Sequence, residues 1–162
     1  MKTWTSIRHK LENEYLAYSL RGHIRYFAAS YSKCPDHEGR AAIYLDGREI
    51  ISGSYYEQWS NAGLLPKDET LEKRLSADFP FMDDTAIKYG MFDQRCLYNA
   101  FYEFDNQSIE KSLHSENMLV RIFAVLDRRV GKRRLRTMKN TISDEGEVFQ
   151  TFYRIRVSAE KI

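Results

Sequence analysis

The stretch VLDRRVGKRRLRTMK, at residues 125–139, carries five arginines and two lysines in fifteen residues, with a single acid among them. Lysines and arginines neutralise phosphates, and each such contact adds to an affinity that weakens with salt. The run is therefore a candidate nucleic-acid interface. Its candidate contact residues are Arg128, Arg129, Lys132, Arg133, Arg134, Arg136 and Lys139.

A second interpretation explains the same charges without a ligand. Cations in the last turn of a helix are stabilised by the negative end of the helix dipole, by about 0.3–1 kcal/mol. The run has no aromatic residue that could stack on bases, and the net charge of the chain is only +2. Nucleic-acid-binding proteins are usually more basic. Solvated or internally paired charge is thus favoured, with nucleic-acid contact as the alternative.

Residues 53–106 have the opposite character, with ten acids against five bases and several tyrosines. In protein interfaces aromatic side chains anchor the contact, and acids steer a basic partner towards it. The candidate partner-binding residues are Tyr55, Tyr56, Glu57, Trp59, Asp68, Glu69, Glu72, Asp83 and Asp84. The sequence leaves open whether the acidic and basic segments pair with each other or face solvent.

No catalytic or metal-binding arrangement follows from the residue types and their spacing. The four histidines belong to four different predicted elements, and the loop CPDHEG at 34–39 is interpreted as a polar turn. Phosphate-binding glycine loops, the dinucleotide fingerprint and the nucleophile elbow are all missing. We expect no metal, no cofactor and no enzymatic activity. An enzyme is the third interpretation, which a pocket lined by His23, Tyr31 and Arg40 would support.

The composition predicts a folded domain with a sizeable core. Hydrophobic residues make up 43% of the chain and aromatic residues 14%, which argues against disorder. No stretch has the length and apolarity of a signal peptide or a membrane span. Cys34 and Cys96 are isolated thiols, which suits a reducing compartment. We expect a single α+β domain over residues 1–162, located in the cytoplasm.

The first third of the chain predicts a helix and then an antiparallel meander. An apolar stripe at three- and four-residue steps indicates a helix that ends by Gly22; it comprises Trp4, Ile7, Leu11 and Tyr15. Alternating residues then predict strands at 23–31, 40–45 and 48–52. The first turn uses Gly39 with a positive φ, and the second is the Asp46–Gly47 hairpin turn.

The middle of the chain is predicted to be helical. Residues 53–66 could be a short helix or a loop, and a helix begins at Pro66. Asp83 or Asp84 caps a longer helix that continues past Gly90 to residue 104. Ser108 starts a short helical turn.

The C-terminal third contains the basic run and the last predicted strand. A helix begins at Ser115 and ends at Gly131, which takes the left-handed conformation, and residues 132–139 add one or two turns. The segment VFQTFYRIRV, at 148–157, alternates between apolar and polar residues and predicts a strand. The fold class is therefore α+β, with an N-terminal helix, a three-stranded meander, a helical middle and a C-terminal strand that returns to the sheet.

The chain resembles a family of small, single-domain bacterial proteins. The resemblance rests on Trp4-x-x-Ile7-x-x-x-Leu11, on RGHIRYFAASY and GRAAIYLDGREI, and above all on LVRIFAVLDRRVGKRRL at 119–135. It covers both ends of the chain but not residues 53–95. It implies a bacterial, cytoplasmic, standalone domain, and it carries over no activity and no catalytic residue.

These observations together favour a non-enzymatic binding protein. The first interpretation is an immunity or antitoxin-type protein whose acidic and aromatic segment sequesters a toxin, such as a cationic nuclease. The alternative is a nucleic-acid-binding module that uses the basic residues 128–139. Neither interpretation involves a membrane, a metal or a cofactor.

Overall fold

The structure is a computed structural model that describes residues 1–30, 39–54 and 82–162. Within these residues the fold is α+β: a helix, an antiparallel sheet and then a series of helices. The predicted turn at 34–38, the helix predicted from Pro66 and the open assignment of residues 55–66 lie outside the described part. No helix in the described ranges has the length and apolarity that crossing a membrane requires.

The first helix, α1 (Trp4–His9), continues directly into a π-helical turn (Lys10–Tyr15). It buries Ile7 and Leu11, as the apolar stripe predicts. The helical segment is over by Gly22, as predicted, since it ends at Tyr15. Gly22 lies in the turn before the sheet, with a positive φ of 83°.

Three strands follow as the predicted meander: β1 (Ile24–Ser30), β2 (Gly39–Leu45) and β3 (Arg48–Ser54). β2 lies between the other two and is antiparallel to both. The residues of the second turn, Asp46 and Gly47, both have a positive φ, of 50° and 78°. Two-residue hairpin turns of type I′ require this conformation, so the turn prediction is confirmed.

The positive φ predicted for Gly39 is wrong. Gly39 is the first residue of β2 and pairs with Ser30. A side chain at this position would meet the carbonyl oxygen of Ala29 and the side chain of Gln94. The close approach of these neighbours, rather than a turn conformation, explains the glycine.

Two helices occupy the stretch from residue 84 to 104, where the sequence predicts one. α2 (Asp84–Lys88) ends before Gly90, which has a φ of 70°. α3 (Gln94–Asp105) then starts after its own cap, Asp93, whose carboxylate accepts two backbone N–H groups of the first turn. The prediction of one continuous helix is wrong, because the Asp93 cap stabilises the start of a second helix. The short α4 (Ile109–Leu113) follows, as predicted.

The centre of the core is α5 (Met118–Leu126). All of its side chains except Arg121 are buried, so this helix is covered on every side and not only along the predicted stripe. Phe123 packs edge-on against Tyr26 of β1 and Phe104 of α3, with ring centroids 5.6 and 5.7 Å away. α5 thereby joins the sheet to the helical half.

The predicted end of this helix at Gly131 is wrong. The chain leaves the helix at Asp127, which is extended and forms an isolated antiparallel bridge with Leu16. Gly131 has φ −80° and ψ 169°, an extended and not a left-handed conformation. It is the N-cap of the next helix, α6 (Lys132–Met138), which covers the predicted turns at 132–139.

The last element is a helix, α7 (Glu147–Glu160), preceded by a 3-10 turn (Ile142–Asp144). The predicted C-terminal strand that returns to the sheet is therefore wrong. The buried residues of α7 recur at one-, three- and four-residue steps, which is helical spacing; they are Val148, Phe149, Phe152, Tyr153 and Arg156. Packing against α5 overrides the strand preference of the aromatic and β-branched residues.

Candidate nucleic-acid interface

A buried guanidinium holds the turn that connects α5 to α6. Arg156 of α7 is 2% exposed. Its terminal nitrogens donate to three backbone carbonyl oxygens at 2.7–3.1 Å, those of Val125, Asp127 and Val130. Burial lowers the pKa of Arg156, and its ion pair with Glu160 opposes this effect. Carbonyls at a helix end lack intrahelical donors, and Arg156 supplies donors to these three, one of which, that of Asp127, also accepts the backbone N–H of Val130.

Two of the seven candidate cations form ion pairs with carboxylates of the same chain. Asp127 is fully buried and accepts hydrogen bonds from the guanidinium of Arg129, the shortest at 2.8 Å. This bonding raises the pKa of Arg129, whose guanidinium also lies 5.0 Å from the ring centroid of Tyr15. Arg134 forms an ion pair with Glu110 of α4 at 2.6 Å. Arg129 and Arg134 therefore have partners within the fold.

α6 contacts the rest of the protein through one side. Leu135 is fully buried, and its carbonyl oxygen accepts a hydrogen bond from the hydroxyl of Tyr153 at 2.7 Å. Met138, three residues later, is half-buried on the same side. The opposite side of this seven-residue helix faces solvent.

The solvent side and C-terminal end of α6 carry four exposed cations, here called the cationic face: Lys132, Arg133, Arg136 and Lys139. Within the described ranges, no carboxylate lies within 4.0 Å of any of the four. The acids described between residues 82 and 106 likewise form no ion pair with residues 128–139. Among the described residues the cationic face has no carboxylate partner, so its charges face solvent.

The remaining candidate cation, Arg128, has an intermediate role. Its side chain is exposed, and its Nε–H donates to the backbone carbonyl oxygen of Glu14 at 2.7 Å. The backbone N–H of Arg128 donates to the carbonyl oxygen of Tyr15 at 2.8 Å. These bonds tie the start of the basic run to the N-terminal helical segment.

Most of the acidic and aromatic candidates belong to the part of the chain that the structure does not describe: Tyr55, Tyr56, Glu57, Trp59, Asp68, Glu69 and Glu72. The other two cap helices. Asp83 accepts the backbone N–H of Ala86 at 2.8 Å at the start of α2. Asp84 accepts the backbone N–H of Val148 at 2.7 Å at the start of α7. Both carboxylates therefore have structural roles.

His23, one of the three residues named for an enzyme pocket, lines a cavity of about 490 Å³ between the β2–β3 turn and α7. Its Nδ1 lies 2.6 Å from Oδ1 of Asp46, and both side chains are more than half exposed. Arg40 does not line this cavity and instead pairs with Glu49 of β3. Tyr31 lies outside the described residues. Among those described, no three potential metal-ligating side chains are grouped.

Sequence reasoning missed Arg156, the residue that bonds the turn before α6. The strand predicted for this segment places Arg156 on the solvent side, opposite the apolar residues. The available signal was its three- and four-residue spacing from Tyr153 and Phe152, which puts it on the buried face of a helix.

Comparison with known proteins identifies a family. The model of the SF0329 protein family matches residues 3–157. This match includes residues 53–95, where the sequence motifs give no resemblance. No curated protein and no solved structure matches the chain.

Proposed function

The chain belongs to the SF0329 protein family, and we propose that it is a nucleic-acid-binding protein whose cationic face contacts the phosphate backbone. One observation carries the proposal: four cations are exposed on one short helix without a carboxylate partner among the described residues. Exposed cations that are not neutralised internally gain most from a polyanion, because binding releases its condensed counterions.

The geometry of α6 supports contact with a phosphate backbone. Arg133 and Arg136 lie three residues apart, so they share the solvent side of the helix. Guanidinium groups bind phosphate oxygens through two parallel N–H donors, and they stay charged at all physiological pH values. Arg156 bonds the backbone of the turn before α6 to α7, which connects this helix to the core.

Salt dependence gives the quantitative expectation. Four phosphate contacts predict a slope of log affinity against log salt of about −3 for a single strand and about −4 for a duplex. Affinity should therefore fall roughly 50- to 150-fold between 50 and 200 mM salt. The proposed binding needs no metal and no cofactor, and the isolated cysteines suit a reducing compartment such as the cytoplasm.

The test is a double substitution with a matched control. Arg133→Ala plus Arg136→Ala should weaken the binding of a labelled oligonucleotide and reduce the salt slope by about two. Arg8→Ala plus Arg48→Ala removes the same charge from exposed positions on α1 and β3, and it should leave the slope unchanged. Fluorescence anisotropy over a salt series measures both. Equal losses in the two variants, or a flat salt dependence, would refute the proposal.

We also propose, as the second candidate, an immunity or antitoxin-type protein that sequesters a toxin. Its support is the acidic and aromatic composition of residues 53–106, together with the way such surfaces recruit basic partners. Co-purification with the product of a neighbouring gene tests it. The absence of any toxin-like neighbour, together with no partner in a pull-down from the native cell, would count against it.

A further inference from the structure

Tyr18 is an aromatic side chain held on the surface. It begins a 3-10 turn (Tyr18–Leu20) and is 69% exposed, the largest value for an aromatic residue in the described ranges. The guanidinium of Arg21 lies 4.4 Å from the centroid of its ring. The backbone N–H of Arg21 also donates to the carbonyl oxygen of Tyr18 at 3.3 Å. One face of the ring is thus covered by a cation, and the side chain has a defined place.

The backbone pairs the segment before Tyr18 with the end of α5. Ala17 donates its backbone N–H to the carbonyl oxygen of Leu126 at 2.9 Å, and the neighbouring Leu16 forms the bridge with Asp127. The pairing is antiparallel, and Tyr18 is the next residue along the chain after this paired segment.

Side-chain hydrogen bonds connect the same 3-10 turn to the residues just before α6. The hydroxyl of Ser19 donates to Glu160 at 2.7 Å. Glu160 also accepts from Nε of Arg156 at 3.1 Å, and Arg156 in turn donates to the carbonyl oxygen of Val130 at 2.7 Å. Val130 lies two residues before Lys132, the first residue of α6 and of the cationic face. The turn is therefore joined to the start of the cationic face through two side chains.

We infer that the open face of Tyr18 stacks on an unpaired base of the strand whose phosphates contact the cationic face, and that the ligand is single-stranded nucleic acid. This inference rests on the proposed function and names the ligand class of that site. Aromatic side chains beside a cationic surface bind single strands because every base offers a ring face for stacking. In a duplex both faces of each base are already stacked, and the cationic face itself has no aromatic residue.

The experiment compares three probes: a short single strand, the same strand with abasic sites throughout, and a duplex of equal length. Tyr18→Ala should weaken binding of the base-bearing single strand by about 5- to 150-fold, with an unchanged salt slope. Tyr18→Phe should bind like the wild type, because stacking needs the ring and not the hydroxyl. Tyr89→Ala is the matched control, since Tyr89 is exposed at the end of α2 and lines a cavity next to β3.

The abasic strand separates stacking from a change of fold. It should bind to the wild type and to Tyr18→Ala with equal affinity, because it offers phosphates but no bases. If Tyr18→Ala binds the base-bearing strand as the wild type does, or loses as much affinity for the abasic strand, the inference is wrong while the proposed function stands. If the wild type binds none of the three probes, or the Arg133→Ala plus Arg136→Ala variant binds like the wild type, the proposed function fails, and the inference fails with it.

Discussion

Arg156 donates a hydrogen bond to the backbone carbonyl oxygen of Asp127 at 2.7 Å, and Asp127 in turn accepts hydrogen bonds from Arg129 through its side chain. One arginine therefore binds the backbone of Asp127 while another binds its buried carboxylate. The exit from α5 and the N-terminal segment meet at this residue, five residues before α6 begins.

Replacing Arg156 should strongly destabilise the fold. Arg156→Met keeps much of the side-chain volume but removes the guanidinium donors to three backbone carbonyls and leaves Glu160 without its ion-pair partner. We expect a loss of roughly 3–5 kcal/mol in the free energy of unfolding, measured by urea denaturation. Arg154→Met, on the exposed side of the same helix, is the control and should change stability little. Similar values for the two variants would contradict the assigned role.

Asp84 should act on the stability of α7 and not on partner binding. Asp84→Ala removes the acceptor for the backbone N–H of Val148 and should cost about 1–2 kcal/mol. Asp84→Asn retains an acceptor oxygen, so it should recover most of that loss. Thermal and urea unfolding of both variants measure the difference. An Asn variant as unstable as the Ala variant would show that the carboxylate acts through its charge instead.

Asp105 should make stability depend on pH in the acid range. Its carboxylate accepts hydrogen bonds from Lys2 and Lys10 at 2.6 and 3.0 Å, and from the hydroxyl of Tyr15. Burial raises the pKa of Asp105, but these hydrogen bonds outweigh burial and lower the pKa from 3.8 to about 2. An acid with a lower pKa in the folded state stabilises the fold above its unfolded pKa, and the stabilisation is lost as pH falls through the folded pKa.

The wild type should therefore be more stable than Asp105→Asn above pH 3.8, by about 1–2 kcal/mol at this partly buried site. The difference should shrink as the pH falls towards about 2. Urea titrations of both proteins at several pH values measure it. Parallel stability curves for the two proteins would show that Asp105 does not have the lowered pKa.

Gly131 offers a test of where the helix ends. As the N-cap of α6 in an extended conformation, with no neighbouring atom within 4 Å of an added Cβ, it should accept Ser readily. Gly131→Ser should raise stability by a few tenths of a kcal/mol, about the difference between these residues at an N-cap. In a left-handed conformation the same change would instead cost about 1–2 kcal/mol. The sign of the change in the urea midpoint decides between the two geometries.

The sheet could be predicted from the sequence because its signals are local. Alternation of apolar residues in Ile24–Ser30 and the Asp46–Gly47 turn are each determined by neighbours in the chain, and both are confirmed. The segment at 148–157 fits a period of two and a helical period about equally well. Its burial against α5, which no local pattern contains, decides for a helix.

The candidate interface was visible in the sequence as a run of cations. The sequence did not show which of these cations pair with a carboxylate in the folded protein. Arg129 is engaged by Asp127, two residues away, and Arg134 by Glu110, on a separate helix. The ion pair of Arg134 and Glu110 forms because two helices lie next to each other in the fold. The ion pair of Arg129 and Asp127 forms in the buried turn after α5. The acidic pair Asp83–Asp84 shows the same effect, because the capping role of Asp84 depends on a helix more than sixty residues later.

The bridge between Leu16 and Asp127 also constrains the order in which the protein can assemble. It joins positions 111 residues apart, so its second strand is synthesised on the order of 5–20 s after the first, at typical rates of translation. During that interval Leu16 and Ala17 have no partner at the end of α5. This pairing forms only once the last third of the chain is present, and non-local closure of this kind slows folding.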